Sequence, residues 1–250
     1  MPWRGCTSRD RVRRTEVGEL GEVGKINRDA HQPTTVRHRG HVEQHWADGT
    51  VRRIEAKAHV FTQGDAKTHV YKVASGAVCL YTVLTDGRRQ IIEFALPGDV
   101  VGLGAASVQA CNAQAIVSTQ VQCLPVAALL KAAKKDPEIA LKLYEAISRE
   151  LLATREHLLC LGQRGACERL AAFLVVLSRR NAARGADPRI VKLPMTRLDV
   201  ADFLGLTIET VSRTLSKMKR QGLIEIDQIT IVRLKDDGKL LRLADGGARV

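Results

Sequence analysis

No stretch of the 250 residues approaches the run of about 18 apolar residues that spans a bilayer, and the opening MPWRGCTSRDRVRR holds no apolar core of a secretion signal. The expectation is a cytoplasmic protein without a membrane partner. The six cysteines, Cys6, Cys79, Cys111, Cys123, Cys160 and Cys167, are scattered, with no C-x-x-C and no paired spacing. That argues against a disulfide framework and against a compact thiolate metal site. No P-loop or nucleophile–base pair is legible, and between 50 and 125 the only histidines are His59 and His69, with no paired acids nearby. These absences weigh against an enzyme.

What is present is basic charge and apolar mass. Lys and Arg number 39 against 27 acids, a formal net charge of +12, and 45% of the chain is hydrophobic, enough for two cores. A polyanionic partner follows, although charge alone does not separate nucleic acid from an anionic membrane.

Composition shifts divide the chain. Residues 1–48 are rich in Arg, His, Gly and Thr without hydrophobic periodicity, and read as a flexible extension. Over 49–135, short β-branched runs are interrupted at Gly64, Gly76, Gly87 and Gly98, spaced 12, 11 and 11 residues apart. Turns at that interval predict antiparallel strands folded into a β-roll. Residues 136–162 predict one long helix, with Pro137 to open it and Gly162 to close it. Ala140, Tyr144, Ile147, Leu151, Thr154, Leu158 and Leu161 follow at steps of 4, 3, 4, 3, 4, 3, a heptad seam suited to a second copy of the same helix. The competing reading packs that face on the helix's own β-domain. Residues 163–236 form a second domain, and 237–250 read as a short polar tail.

Within the second domain, MTRLDVADFLGLTIETVSRTLSKMKRQGLI predicts two helices joined at Gly205. Thr196 caps the first with Asp199 in the capping-box position, and Thr207 caps the second with Glu209 in its first turn. Ile208, Val211, Leu215 and Met218 form the apolar side of the second helix, opposite Glu209, Ser212, Arg213, Ser216, Lys217 and Arg220. In a helix-turn-helix the start of that second helix enters the major groove, which puts Glu209, Ser212 and Arg213 at base edges. Arg213 suits guanine O6 and N7, and Glu209 a cytosine amino group. The hydroxyl of Ser212 fits several edges or a phosphate. Thr196, Thr207, Ser216, Lys217, Lys219 and Arg220 are the expected phosphate contacts. GLIEIDQITIVRL predicts a two-stranded wing.

The order of parts, with ACERLAAFLVVLSRR leading into MTRLDVADFLGLTIETVSR, resembles the CRP/FNR family of bacterial transcription regulators over about residues 50–236. The fold class implied is α+β: a cyclic-nucleotide-binding-like β-roll (a double-stranded jelly roll), a long dimerisation helix and a C-terminal winged helix-turn-helix. Glu209, Ser212 and Arg213 match the E-x-x-S-R motif of the FNR and FixK branch, which implies a TTGAT-N4-ATCAA type palindrome. Ile208 stands where the CRP branch has an Arg. The resemblance further implies a homodimer on double-stranded DNA and RNA polymerase as second partner, with the turn Thr85-Asp86-Gly87-Arg88 as one surface for it. Family members control microaerobic, anaerobic or nitrogen-fixation genes.

On the sensory side the chain departs from two branches of that family. GDVVGLGAASVQACNAQAIV contains no Arg or Lys to pair with a cyclic phosphate, so no cyclic nucleotide is expected. The cysteine pattern of an FNR iron–sulfur cluster is missing, and Thr154 stands near the place of the acid that opposes dimerisation in FNR, so the chain resembles the cofactor-free FixK-like members. Alternatives remain: a haem- or effector-gated regulator of the same fold, or a non-specific basic architectural protein. His31, His38, His41 and His45 have a spacing compatible with zinc or an axial haem position, against a reading as a solvated arm. Cys167, in the first turn of a helix, and Cys160 are the thiols a redox switch would use, against the commoner fate of small buried residues. The expectation is no metal and no resident cofactor.

Overall fold

Two four-stranded antiparallel sheets fill the segment marked out by the glycine spacing. The computed structural model describes residues 46, 49–228 and 230–247. Strands β1 (Thr50–Ile54), β8 (Thr119–Pro125), β3 (His69–Ser75) and β6 (Val100–Val101) form one sheet in that order. The other is β2 (His59–Phe61), β7 (Asn112–Ala115), β4 (Val78–Val83) and β5 (Arg89–Ala95). Buried Val73, Val78, Ala95, Ala113 and Val121 fill the space between them. This is the double-stranded jelly roll. Gly76 shows why a turn residue was needed: its φ is +87°, and a Cβ there would come within 2.4 Å of Thr119 Oγ1.

Two helices follow the roll. Helix α1 (Val126–Lys135) leads into α2 (Pro137–Gln163), which Asp136 caps by accepting from the Glu138 N–H at 2.9 Å, with Pro137 in the first turn. Gly162 lies inside the last turn rather than ending the helix, and Arg164 is the C-cap. Of the 27 residues of α2 only Ile139 and Cys160 are buried. Tyr144 and Leu158 are each 69% exposed, and Ala140, Ile147, Leu151 and Thr154 are exposed as well; Leu161 is half-buried. The seam therefore does not pack on the β-roll of its own chain.

The second domain comprises α3 (Ala166–Ala183), β9 (Ile190–Lys192), α4 (Arg197–Leu204), α5 (Ile208–Arg220), β10 (Ile224–Gln228), β11 (Ile231–Leu234) and α6 (Asp237–Ala244). Three boundaries differ from the sequence reading. The wing has three strands in the order β10-β11-β9, because Ile190–Lys192 pairs with β11. The segment read as a polar tail contains α6, capped by Asp236, with Leu240, Leu243 and Ala244 buried in a core shared with Leu170, Leu174 and Leu177 of α3. Trp46, assigned to the flexible extension, is 5% exposed and clusters with Val70, Leu124, Leu129 and Ile139. The rest of the extension, with His31, His38, His41 and His45, lies outside the described residues.

The two domains share a boundary of rings and charges. Phe94 of β5 approaches Phe203 of α4 at 5.1 Å and Phe173 of α3 at 6.1 Å between ring centroids, and His157 of α2 stacks on Phe203 at 4.1 Å. Arg180 of α3 donates to Asp99 at 2.5 Å and to the Phe94 carbonyl at 3.1 Å. The helix-turn-helix is thereby seated on the β-roll.

Candidate nucleic-acid interface

Local sequence builds the helix-turn-helix as its caps require. Thr196 Oγ1 accepts from the Asp199 N–H at 3.1 Å, while Asp199 Oδ2 accepts from the Thr196 N–H at 2.8 Å and from its hydroxyl at 2.7 Å, a reciprocal capping box. Gly205 closes α4 in the left-handed conformation at φ +61°, ψ 43°. Thr207 Oγ1 then accepts from the Thr210 N–H at 3.2 Å to start α5. Val211, Leu215 and Met218 are buried, as is Thr214. Ile208 departs from the expected pattern: it is 40% exposed at the very start of α5, beside Glu209.

The opposite side of α5 is open to solvent. Glu209, Arg213, Ser216, Lys217, Lys219 and Arg220 are exposed, and Ser212 is half-buried. Hydrogen bonds from its own N–H and from Thr207 hold the Glu209 carboxyl below the usual range, with the Arg213 charge adding to them. Ser212, Arg213, Ser216 and Arg220 line one shallow depression on this face.

The hydroxyls differ in what they offer. Ser216 Oγ donates to the Ser212 carbonyl at 2.9 Å, and Thr196 donates to Asp199. Their protons are occupied, so as they stand these two expected phosphate donors present lone pairs only. Thr207 accepts from Thr210 N–H, and its hydroxyl lies 3.1 Å from that of Thr210, a contact in which either oxygen donates.

Three arginines that sequence reasoning missed position this unit. Arg169 of α3 donates to four backbone carbonyls: Leu161 at 2.8 Å, Arg164 at 2.8 Å, Leu204 at 2.9 Å and Gly205 at 3.5 Å. It ties the end of α2 to the turn of the helix-turn-helix. Arg89 of the β-roll pairs with Asp199 and Asp202 of α4, and Arg197 reaches Ser212. All three bond across gaps of 15 or more residues except for Arg169 with Leu161 and Arg164, and spacing gives no signal at such range.

The two thiols expected to serve a redox switch sit in different surroundings, Cys167 half-buried and Cys160 buried. Cys167 does sit in the first turn of α3, where Glu168 caps the helix by accepting from the Gly165 N–H at 2.8 Å. Burial pushes its thiol pKa up, Lys217 drawing it down and Glu168 adding to the rise. Cys160 is 5% exposed. Among the described residues no group of three or more His, Cys, Asp or Glu is placed to hold a metal ion, and no helix is long and apolar enough to cross a membrane.

Comparison with known proteins agrees with this architecture. Residues 51–136 match the cyclic nucleotide-binding domain, and residues 168–243 match the Crp-like helix-turn-helix domain. The nitrogen fixation regulation protein FixK of Bradyrhizobium diazoefficiens is 42% identical over 167 residues, 67% of this chain and 70% of its own length. The transcriptional activatory protein AadR of Rhodopseudomonas palustris is 40% identical over 174 residues, 70% of this chain and 73% of its own. The solved structure of FixK2 from Bradyrhizobium japonicum superposes with a TM-score of 0.74 at 37% identity, covering 78% of this chain and 96% of that one. With a jelly roll, a long helix and a capped helix-turn-helix in the same order, this chain belongs to the CRP/FNR family and is a DNA-binding transcription regulator of the FixK/FNR type.

Proposed function

We propose that the chain works as a homodimeric, sequence-specific activator, each protomer reading one half of a TTGAT-N4-ATCAA type palindrome. The observation that carries this is the outward face of α5, where Glu209, Ser212 and Arg213 share the first two turns of a capped helix. Arg213 pairs with guanine and Glu209 accepts from cytosine, while Lys217, Lys219 and Arg220 meet phosphates and fix the register. Two such helices must stand about 34 Å apart to meet successive major grooves.

The exposed seam of α2 supplies the pairing. Burying the seam against a second copy contributes roughly 1–2 kcal/mol per Ile or Leu, since Ile147 and Leu151 are about half exposed to begin with. Thr154, whose hydroxyl donates to the Glu150 carbonyl at 2.8 Å, carries no charge into the seam. The dimer thus needs no cofactor to offset repulsion. A cyclic phosphate finds little welcome in the roll. The segment from Gly98 to Val117 has no Arg or Lys, and the ammonium of Lys67, which reaches it from outside, donates to the Leu103 and Gly104 carbonyls at 3.2 and 3.5 Å.

RNA polymerase is met through the turn Thr85-Asp86-Gly87-Arg88, which Asp86 organises by accepting from the Arg88 N–H at 3.0 Å and its Nε at 2.7 Å. The names of the relatives favour activation and the control of nitrogen-fixation genes.

Selection of bound duplexes from random DNA, using aerobically purified, metal-free protein, tests this reading. It should return the two-fold site with its four-base spacer. Recovery of no preferred sequence, or of one only after haem is added, would contradict it.

A further inference from the structure

Arg197 opens α4, is exposed, and has no carboxylate partner among the described residues. Its Nη1 donates across the turn to Ser212 Oγ at 3.2 Å. A guanidinium has only donors, so at this contact the Ser212 oxygen is the acceptor and its own proton is free. We infer that Arg197 is a specificity-determining residue that acts through Ser212, fixing that hydroxyl as a donor and so making it select a base-edge acceptor. This inference rests on the proposed docking of α5 in the major groove.

The chemistry narrows what Ser212 reads. A lone serine hydroxyl donates or accepts, and therefore discriminates poorly among base edges. With Arg197 on one lone pair, the hydroxyl proton turns outward, and the nearby positive charge disfavours an amino group at the same spot. Guanine O6 or N7, adenine N7 and thymine O4 satisfy the donor; cytosine N4 and adenine N6 do not. Ser216, one turn further on, is held the other way: its proton is committed to the Ser212 carbonyl at 2.9 Å. Two serines on one face are thus given opposite polarity by their partners. The half-burial of Ser212 restricts the rotamers by which it would escape Arg197.

Selection from random duplexes with the full chain separates this role from a plain phosphate contact. Ser212→Ala first marks the operator position that Ser212 reads. Arg197→Met is then expected to relax the preference at that position, by roughly two- to tenfold, the worth of one hydrogen bond, while leaving the position read by Arg213 unchanged. In the Ser212→Ala background, Arg197→Met should alter no base preference further. The inference is overturned if Arg197→Met weakens every duplex equally, as a phosphate contact would, or if it shifts the profile as much without Ser212 as with it. A wild-type chain that selects no sequence would remove the docking itself. A wild-type chain that selects the palindrome while Ser212→Ala changes nothing would leave the docking standing and remove this inference alone.

Discussion

Asp202 Oδ2 on α4 accepts from both Nε and Nη2 of Arg89 on β5, at 3.1 and 3.0 Å, and the same guanidinium pairs with Asp199, the acid of the capping box. One cation thus joins the sensor-like roll to the first helix of the DNA-binding unit. The Asp199 side chain is 12% exposed and that of Asp202 21%, so neither carboxylate is well solvated once the cation is gone. Arg89→Met is expected to cost about 1–3 kcal/mol in urea unfolding, more than Asp202→Asn, which leaves Asp199 still paired. Equal losses from the two variants would contradict this role of Arg89.

Arg169 gathers carbonyls from the end of α2, the linker and the α4–α5 turn. Arg169→Met should destabilise the chain by about 2–4 kcal/mol, because partly buried carbonyls lose a charged donor together. It should also lower affinity for every duplex, since the orientation of α5 relative to α2 loosens. Thermal unfolding and binding titrations check the pair of effects; a stable variant with unchanged binding would show that Arg169 does not join the two.

Two half-buried groups give opposite slopes of stability against pH. Burial, with the charges of Glu150 and Asp99 adding to it, pushes the Glu93 carboxyl up to about 7 from an unfolded value of 4.5. The folded chain therefore holds the extra proton between those values, and stability falls as pH rises through them. Glu93→Gln should remove that slope and leave the protein about 1–3 kcal/mol more stable than wild type at pH 8. Burial holds His157 below its usual 6.5, and its Nε2 is buried with no hydrogen-bond partner among the described residues. There the unfolded chain takes the proton, so stability falls as pH drops through 6.5. His157→Phe should flatten the acid side. Urea midpoints from pH 5 to 8 for wild type and both variants measure the slopes; a Glu93→Gln profile parallel to wild type would contradict the first assignment.

Leu151 sits in mid-seam and is 49% exposed. Leu151→Glu places like charges against each other in the proposed dimer and should convert it to monomer in sedimentation, with little change in far-ultraviolet circular dichroism. Specific DNA affinity should fall by at least tenfold, as each half-site is then held alone. A variant that still sediments as a dimer would move the interface elsewhere.

What was legible in the sequence was local. The capping acid three residues after Thr196, Gly205 at the turn, the glycine spacing of the roll and the heptad steps of α2 are short-range patterns, and each recurs in the structure. What was not legible depends on distant partners. Leu240 and Leu243, in a short and highly charged stretch, become core residues only because α3 offers them a surface. The strand Ile190–Lys192 forms because β11 accepts it, and Trp46 is buried because α1 and α2 return to it. Arg89 finds its acids more than 100 residues away. Ile208 fits the apolar step pattern yet lies at the first turn, beyond the reach of α4, so its side chain remains exposed.

The most direct test of the account is the specificity ratio at Arg213. Dissociation constants for a TTGAT-N4-ATCAA duplex and a scrambled duplex are measured at one fixed salt concentration, for wild type and for Arg213→Ala. The account predicts a wild-type preference of roughly a thousandfold or more, and a variant whose loss of about 1–3 kcal/mol falls on the palindrome while scrambled DNA is bound nearly as before. Equal losses on the two duplexes would contradict it.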